Sequence, residues 1–340
     1  MTEETSKVPS ATTVPEGNRL SNVQRFNGFQ DTYDQHRPEA PQEVVTLLTQ
    51  YLGHRPSLVV DIGSGTGLSS FVWRDTAARI IGVEPNDDMR SKAVDKLMSL
   101  AGAPTDDQVQ AAEMSFVPGY SNQLELPDGA AEIVTCSQSF HWMEPVSTLK
   151  EIARVLREGG IFAAYDCDWP PSLDWQVELA YHELIELSEQ LIDRHVDAAE
   201  QAYKGNKNEH LKHIRESGHF RFAKEIVFHH TEPFTAERYI GLAVSQGGIQ
   251  TVFKLNLPEI HAKLDQFQAV VTDYFQGRTL PLMFSYRMRI GINNLLALKY
   301  NRPNSGSSQQ PFVTEGIAAG CRFVCYRWSL TCSPPARNPA

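Results

Sequence analysis

A short apolar stretch that leads directly into three glycines decides the fold of this chain: residues 58–67 read LVVDIGSGTG. Five mostly apolar residues that end at glycines are typical of a buried strand in a parallel sheet. Gly63, Gly65 and Gly67 allow a sharp turn and a close approach of the backbone to a ligand. We expect a helix to begin just after the turn, over residues 68–74, so that its first N–H groups face the same ligand.

Alternating strand and helix patterns surround this turn. They predict four further strands, over residues 79–83, 110–117, 132–136 and 161–165. They also predict three helices, over residues 41–52, 87–100 and 146–156, the last of which should end at Gly159 and Gly160. Strands that alternate with helices form parallel sheets with right-handed crossovers, so the chain should fold as a doubly wound α/β sheet.

The pattern changes beyond residue 171. Helical spacing predicts a long helix over residues 175–200, a shorter one over 209–217 and mostly helical structure over 235–275, which together could form a lid. Residues 224–228 and 284–290 alternate between apolar and polar, as edge strands do. We therefore predict four segments along the chain: a disordered N-terminus at 1–25, a ligand-binding core at 26–170, a helical lid and sheet-completing substrate region at 171–300, and a poorly ordered tail at 301–340.

The composition limits the possible functions. A formal net charge of -10 argues against binding to the phosphate backbone of nucleic acids, which needs clustered Lys and Arg. The apolar runs are too short to cross a bilayer, and the N-terminal residues lack the apolar centre of a secretory signal. Cys321, Cys325 and Cys332 show no paired metal-binding or disulfide pattern and are predicted to be free thiols. We expect a cytoplasmic protein without nucleic-acid or membrane partners.

Two acidic residues indicate what the glycine turn binds. Glu84 ends the second predicted strand, where a carboxylate can accept hydrogen bonds from both hydroxyls of a ribose. Leu68 stands where the dinucleotide-binding fingerprint has its third glycine, and Asp61 before the turn favours a cationic amino-acid ligand over a pyrophosphate. Together these features predict a nucleoside with a cationic amino-acid part. The alternative is an ordinary glycine turn beside a solvated Glu.

These motifs resemble those of class I S-adenosylmethionine-dependent methyltransferases, of the methyltransferase type 11-like kind. The resemblance rests on residues 59–67, 82–89 and 154–160. A narrower likeness, to the trans-aconitate methyltransferase-like group of small-molecule enzymes, some of them fungal, rests on residues 33–38, 139–142 and 234–239 with Ser245. The fold that the resemblance implies is a Rossmann-like, mostly parallel seven-stranded sheet with an antiparallel edge strand and helical lid insertions. The implied cofactor is S-adenosylmethionine.

The resemblance also implies which residues hold the cofactor. Asp61 and the three glycines would shape the methionine side, Glu84 would hold the ribose, and Tyr33 and Arg37 would close over the cofactor. The full set of implied cofactor residues is Tyr33, Arg37, Asp61, Gly63, Ser64, Gly65, Gly67, Glu84, Pro85, Met89, Ser121, Ser137 and Gln138. Tyr120 stands where such enzymes often have an acid against the adenine, so backbone groups of Ser121 would have to serve instead.

Candidate catalytic and acceptor-binding residues follow the fourth and fifth predicted strands. His141 is suited to remove a proton from an acceptor near neutral pH and is our candidate general base; the alternative is that His141 and Trp142 wall the pocket or pack against the next helix. The candidate acceptor contacts are Trp142, Asp166, Asp168 and Trp169, of which the two aspartates could instead be turn residues. We expect no metal site, because the other histidines lack a partner set with metal-ligand spacing.

The sequence therefore predicts methyl transfer to a small-molecule acceptor, with oxygen as the acceptor atom. A secondary metabolite or a small carboxylic acid would both fit. The alternatives are a protein that binds S-adenosylmethionine without methylating, in a regulatory or cyclase-like role, and a nicotinamide-dependent reductase, which the glycine spacing disfavours.

Overall fold

The computed structural model describes residues 14–101 and 111–294. Its centre is a seven-stranded sheet in the order β3-β2-β1-β4-β5-β7-β6. The strands are β1 (Leu58–Ile62), β2 (Arg79–Val83), β3 (Glu113–Val117), β4 (Ala131–Ser137), β5 (Leu156–Cys167), β6 (Phe220–Phe234) and β7 (Leu280–Asn293). The first five are parallel, and β7 is antiparallel to both β5 and β6. The predicted Rossmann-like sheet, with an edge strand in antiparallel pairing, is confirmed.

Ten helices of the described residues surround this sheet. They are α1 (Leu20–Gln24), α2 (Gln30–His36), α3 (Gln42–Leu52), α4 (Asp87–Ala101), α5 (Pro145–Val155), α6 (Trp175–His195), α7 (His210–Glu216), α8 (Ala236–Val244), α9 (Gly247–Lys254) and α10 (Glu259–Phe275). Within residues 14–101 and 111–294, none of them combines the length and the apolar character that a bilayer crossing requires.

The core lies on both faces of the sheet because successive side chains of each strand point to opposite sides. Val59 of β1 belongs to one apolar cluster, to which α3, α6 and the helices α8 to α10 contribute. Val60 belongs to the other cluster, with residues of α5 and α7. All five residues of β1 are buried. Each large apolar side chain buried in this way stabilises the fold by roughly 1.5–3 kcal/mol, and β1 is thereby fixed at the centre of the sheet.

The segment after the glycine turn differs from the prediction. Residues 68–74 do not form an α-helix; the chain makes turns and a single 3₁₀ turn over Phe71–Trp73. The backbone hydrogen bonds of this stretch mostly span three residues, as from Ser70 N–H to the Gly67 carbonyl. Ser69 and Ser70 point their hydroxyls back to Asp61, which holds the chain in this tight path.

The junction of α5 and β5 also differs. We predicted a helix to residue 156 that ends at two glycines, but α5 ends at Val155 and β5 begins at once with Leu156. Gly159 lies inside the strand with φ +74°, and the register between β4 and β5 shifts between Ala131 and Ile133. Gly159 therefore allows an irregular strand, rather than the helix stop that its position in the sequence suggested.

Other differences from the prediction concern the lengths of strands and the ends of helices and segments. The two predicted edge strands are 15 and 14 residues long and pair over nearly their whole length. The long helix predicted to residue 200 ends at His195. Disorder was predicted for residues 1–25, but residues 14–25 include helix α1. The predicted tail at 301–340, with its three cysteines, lies outside the described residues.

Candidate active site

A cavity of about 770 Å³ lies at the carboxyl ends of β1 to β4. This is the edge at which open α/β sheets bind ligands. The cofactor candidates on its wall are Tyr33, Gly63, Gly65, Glu84, Pro85, Met89, Ser121, Ser137 and Gln138, together with the acceptor candidate Trp142. A second cavity of about 500 Å³ shares five of these residues and adds Arg37, Ser64 and Trp169. Most of the predicted site residues are therefore brought to one place.

The glycine turn is wedged between β2 and the loop after β4. Gly63 donates its N–H to the Val83 carbonyl at 2.8 Å, and Ser139 Oγ donates to the Ile62 carbonyl at 2.7 Å. Gly63 has φ +68°, and a Cβ placed there would lie 2.6 Å from the Cβ of Ser139. A glycine is therefore required both by the backbone conformation and by the space.

Glu84 meets the glycine turn at the cavity wall. Its carboxylate accepts the Gly65 N–H at 2.9 Å and the Asn86 N–H at 2.8 Å. Burial raises the pKa of Glu84 to about 7, against the lowering effect of those two hydrogen bonds. A buried carboxylate that already gathers N–H donors at the wall of a cavity fits the place of a ribose diol, as the sequence predicted.

Asp61 does not reach the cavity. It is completely buried behind the turn and accepts hydrogen bonds from Ser69 (2.6 Å), Ser70 (2.7 Å) and Thr135 (2.8 Å). Burial raises the pKa of Asp61, against these three hydroxyls. Its side chain shapes the turn from behind, which differs from the predicted contact with the ligand. Gly67 likewise lies off both cavity walls and packs against Phe71.

Asp61→Ala should lower the free energy of unfolding by about 3 kcal/mol, because it leaves three buried hydroxyl groups without their acceptor. Urea denaturation measures the change, and Thr135→Val, which removes one of the three donors, should cost only about 1 kcal/mol. A loss below 1 kcal/mol for Asp61→Ala would show that the carboxylate does not support the turn.

The N-terminal segment forms a wall that the sequence-based prediction missed. Asn22 donates from Nδ2 to the Trp142 carbonyl at 2.8 Å and accepts the Tyr203 N–H at its Oδ1, also at 2.8 Å. Phe26 contacts Trp142 edge to face, with ring centroids 6.0 Å apart. The sequence does contain a pattern that indicates a helix here, because Leu20, Val23 and Phe26 recur at a helical spacing of three residues.

Arg37 is held beside the second cavity by two aromatic rings. Its guanidinium lies 5.1 Å from the ring centre of Tyr33 and 4.9 Å from that of Trp169. It also donates to the side-chain oxygen of Ser245 at 2.9 Å and to the Ser245 carbonyl at 3.1 Å. Arg37 is thus a fixed cation at the wall that the sequence assigned to the cofactor.

His141 and Asp166 lie in a buried cluster away from the cavity wall. The Nδ1 atom of His141 is 3.4 Å from Asp166, as is the Nδ1 atom of His210. Burial lowers the pKa of His141 to about 4. Burial alone would raise the pKa of Asp166, but hydrogen bonds from the two histidines and the Lys207 charge hold it well below its usual range. A general base must reach the acceptor, so this geometry argues against that role for His141.

The same cluster is the one group of described residues whose atoms could jointly contact a metal: His141, Asp166 and His210. The Asp166 carboxylate already has Lys207 Nζ at 2.9 Å and an Arg289 nitrogen at 3.4 Å. Because these two cations already neutralise the Asp166 carboxylate, it has little attraction left for a metal ion. We therefore interpret the group as an ion cluster. Asp168 is half-exposed and paired with Arg287 at 3.4 Å, also away from the cavities.

Comparison with known proteins shows which enzymes this chain resembles. Residues 60–164 match the family model described as a methyltransferase domain. The chain is 27% identical over 146 residues to the probable S-adenosylmethionine-dependent methyltransferase CRG1 of Saccharomyces cerevisiae, covering 42% of this chain and 47% of that protein. It is 26% identical over 147 residues to the malonyl-[acyl-carrier protein] O-methyltransferase of Pseudescherichia vulneris, covering 43% and 53%. The chain thus spans about half the length of these curated relatives.

A solved structure shares the fold. The putative type II methyltransferase of Anaeromyxobacter dehalogenans superimposes with a TM-score of 0.51 at 17% sequence identity, covering 75% of this chain and 97% of that one. The share of the chain that superimposes is larger than residues 60–164. The fold, the turn and the family match agree in their likeness to methyltransferases, and they support S-adenosylmethionine as the cofactor.

Proposed function

We propose that the protein transfers a methyl group from S-adenosylmethionine to an oxygen atom of a small molecule, either a metabolite or a carboxylic acid. The observation that carries this proposal is the pair of adjoining cavities that share Tyr33, Gly63, Gly65, Ser137 and Gln138. One part has the glycine turn and Glu84, which suit a nucleoside. The remaining space lies between aromatic walls and can take an acceptor.

The residues on these walls divide by their chemistry. Glu84 would hold the ribose, and Pro85, Met89 and Ser121 would contact the adenine. Gly63, Ser64 and Gly65 would support the methionine part, with Tyr33 and Arg37 closing over it. Ser137 and Gln138 would lie between cofactor and acceptor, and Trp142 and Trp169 would contact the acceptor. Asp61, Gly67, Asp166 and Asp168 would support the site from outside the cavities.

The cofactor, when bound, supplies a methyl carbon that its sulfonium has already activated. The residues of the chain then have to align an acceptor with that carbon and exclude water. Alignment alone can lower a barrier by roughly 7–11 kcal/mol in model systems. Helix α1 and the Trp142 loop cover the cavity and make a chamber, which favours a small molecule over a macromolecule as acceptor.

Two likenesses support oxygen as the acceptor atom. The name of the relative from Pseudescherichia vulneris describes transfer to oxygen, on a malonyl group. The sequence resemblance to the trans-aconitate methyltransferase-like group points the same way, to a carboxylic acid. Membership of that narrower group, a fungal origin and a place in secondary metabolism stay predictions.

Calorimetry and labelled methyl transfer test the proposal together. We expect the protein to bind S-adenosylmethionine but not NAD, and to transfer labelled methyl to compounds in a metabolite extract. Binding without transfer would instead support the regulatory or cyclase-like alternative. Absence of S-adenosylmethionine binding would overturn both interpretations.

A further inference from the structure

A groove of about 970 Å³ runs between helices α6 and α10, and none of the described residues that line it belongs to the two cavities above. Trp175, at the start of α6, and Tyr274, at the end of α10, both line this groove. Glu183 and Gln266 line it further along the two helices, where Lys263 of α10 forms an ion pair with Glu183. The two helices are therefore antiparallel along the groove, which is called the α6–α10 groove below.

The α6–α10 groove presents apolar side chains to solvent. Trp175 and Leu179 of α6 are 70% and 49% exposed, and Val270 and Tyr274 of α10 are half-buried. The members of each pair are four residues apart, so each pair forms a stripe along one face of its helix. Single exposed apolar side chains are common on protein surfaces, but several that line one groove form the kind of patch that contacts a partner.

The charged residues of the groove all have the same sign. Of the described residues that line it, Asp174, Glu183 and Asp273 are acidic and none is basic. Glu183 is paired with Lys263, and Asp174 caps the start of α6. Neither Asp174 nor Asp273 has an ion-pair partner in the part of the chain that the structure describes. An acidic lining of this kind favours a partner that carries Lys or Arg.

The shape of the α6–α10 groove suits a short helix. Trp175 and Glu183 are eight residues apart, which is about 12 Å along α6. An amphipathic helix with apolar residues at i, i+3, i+4 and i+7 presents its anchors over a similar length, and such helices bind in apolar grooves.

Two other occupants fit the groove less well. Small-molecule sites enclose most of the ligand, whereas Trp175 leaves most of its own surface in solvent. A second copy of this chain, related by a two-fold axis, would place the same acidic patch against itself. The apolar stripes and the acidic residues together therefore favour a basic partner of another kind.

We propose that the α6–α10 groove binds an amphipathic helix of a partner protein, whose apolar face contacts Trp175 and Leu179 and whose lysines or arginines lie beside Asp174 and Asp273. This inference goes beyond the proposed function and does not depend on it. Because the groove shares no lining residue with the two cavities, the partner can bind while the cofactor cavity stays open.

A labelled peptide tests the proposal on the full chain. The probe is a fluorescein-labelled peptide of about 18 leucines and lysines, with its leucines on one helical face. Its fluorescence anisotropy is followed at physiological ionic strength as the protein is added. We expect saturable binding of this peptide. Two control peptides, one with glutamate in place of every lysine and one with the leucines spread over all faces, should bind much more weakly.

Substitutions with matched controls locate the binding. Trp175→Ala should weaken binding of the leucine–lysine peptide by about tenfold or more, as truncation of an aromatic anchor does. Val146→Ala, at an apolar residue of α5 that is also largely exposed, should leave binding unchanged. Asp273→Lys should weaken binding about fivefold through charge repulsion. Asp265→Lys, at an exposed acid of α10 outside the groove, should have no effect. The urea midpoint of each variant shows whether its fold is intact.

Several results would overturn the proposal. They are the absence of saturable binding by the leucine–lysine peptide, equal binding of either control peptide, and binding that Trp175→Ala or Asp273→Lys leaves unaltered. A dimer of this chain in analytical ultracentrifugation that Trp175→Ala dissociates would also overturn it, because a second copy would then occupy the groove. None of these measurements uses S-adenosylmethionine, so a failure of the proposed function and a failure of this inference are distinguishable.

Discussion

Gly63→Ala is expected to weaken binding of S-adenosylmethionine about 100-fold, as calorimetry would measure. Gly63 has φ +68°, a conformation that costs a residue with a side chain on the order of 1–2 kcal/mol. The new methyl group would also lie 2.6 Å from Ser139 Cβ and 3.0 Å from its Oγ. Ser139 holds the Ile62 carbonyl at 2.7 Å, so relief of the clash must move the turn itself. Overpacking of this kind adds an energetic cost of roughly 1–3 kcal/mol. Each 1.4 kcal/mol by which the cofactor-bound state is destabilised lowers the affinity about tenfold.

Gly53→Ala is the matched control for this prediction. Gly53 ends α3 with φ +84°, and nothing lies within 4 Å of the position of a new Cβ. The substitution therefore carries the same kind of backbone cost without the clash, far from the glycine turn. It should lower stability by about 1 kcal/mol and change cofactor affinity less than twofold. Equal binding by Gly63→Ala and wild type would show that the turn does not contact the cofactor.

The parts of the site that the sequence predicted are those that local rules determine. The strand, the glycines and Glu84 follow one another within about one β–turn–β unit, and parallel strands place their carboxyl ends at one edge of the sheet. Glu84 therefore had to come near Gly65, as it does at 2.9 Å. The prediction of the glycine turn and of the position of Glu84 required no knowledge of distant parts of the chain.

The parts that could not be predicted depend on distant contacts. Helix α1 has only five residues, too few to be stable alone, and its Asn22 bonds to Trp142 and Tyr203. His141 does follow β4, but Asp166 and His210, which are 25 and 69 positions away in the sequence, share its surroundings. Lys207 reaches Gln138 only because the connection after α6 returns over the sheet edge. The spacing of residues along the sequence does not indicate which distant residues these side chains contact.

Glu84→Gln is expected to weaken S-adenosylmethionine binding about 100-fold at pH 8. The carboxylate can accept hydrogen bonds from two ribose hydroxyls, and bonds to a charged group contribute roughly 1.5–3 kcal/mol each. Gln keeps the size of the side chain but has one acceptor oxygen. The amide NH2 group of Gln would also face the N–H group of Gly65 or Asn86, and two donors cannot form a hydrogen bond with each other. Asp87→Asn, which changes an exposed carboxylate at the start of α4, is the control and should bind like wild type.

The same carboxyl group should make cofactor binding depend on pH. With a pKa of about 7 in the free protein, Glu84 is mostly protonated at pH 6 and mostly ionised at pH 8. Only the ionised form accepts at both oxygens, so affinity should fall about tenfold for each pH unit below 7. Calorimetry between pH 6 and 8 should show this slope in wild type and not in Glu84→Gln. A wild-type affinity that stays constant over this range would contradict the assignment.

The stability of the cofactor-free protein should show the opposite dependence. The folded pKa lies above the ordinary value of 4.5, so folding favours the protonated carboxyl group. The unfolded chain loses this proton first as pH rises, and the contribution of Glu84 to stability should therefore fall between about pH 4.5 and 7 and stay level above that range. The difference amounts to about 3 kcal/mol, and it should be absent in Glu84→Gln when urea denaturation is compared at several pH values. Saturating cofactor should reduce the wild-type loss, because a ligand that binds the ionised carboxylate stabilises the folded state most where the buried charge otherwise costs most.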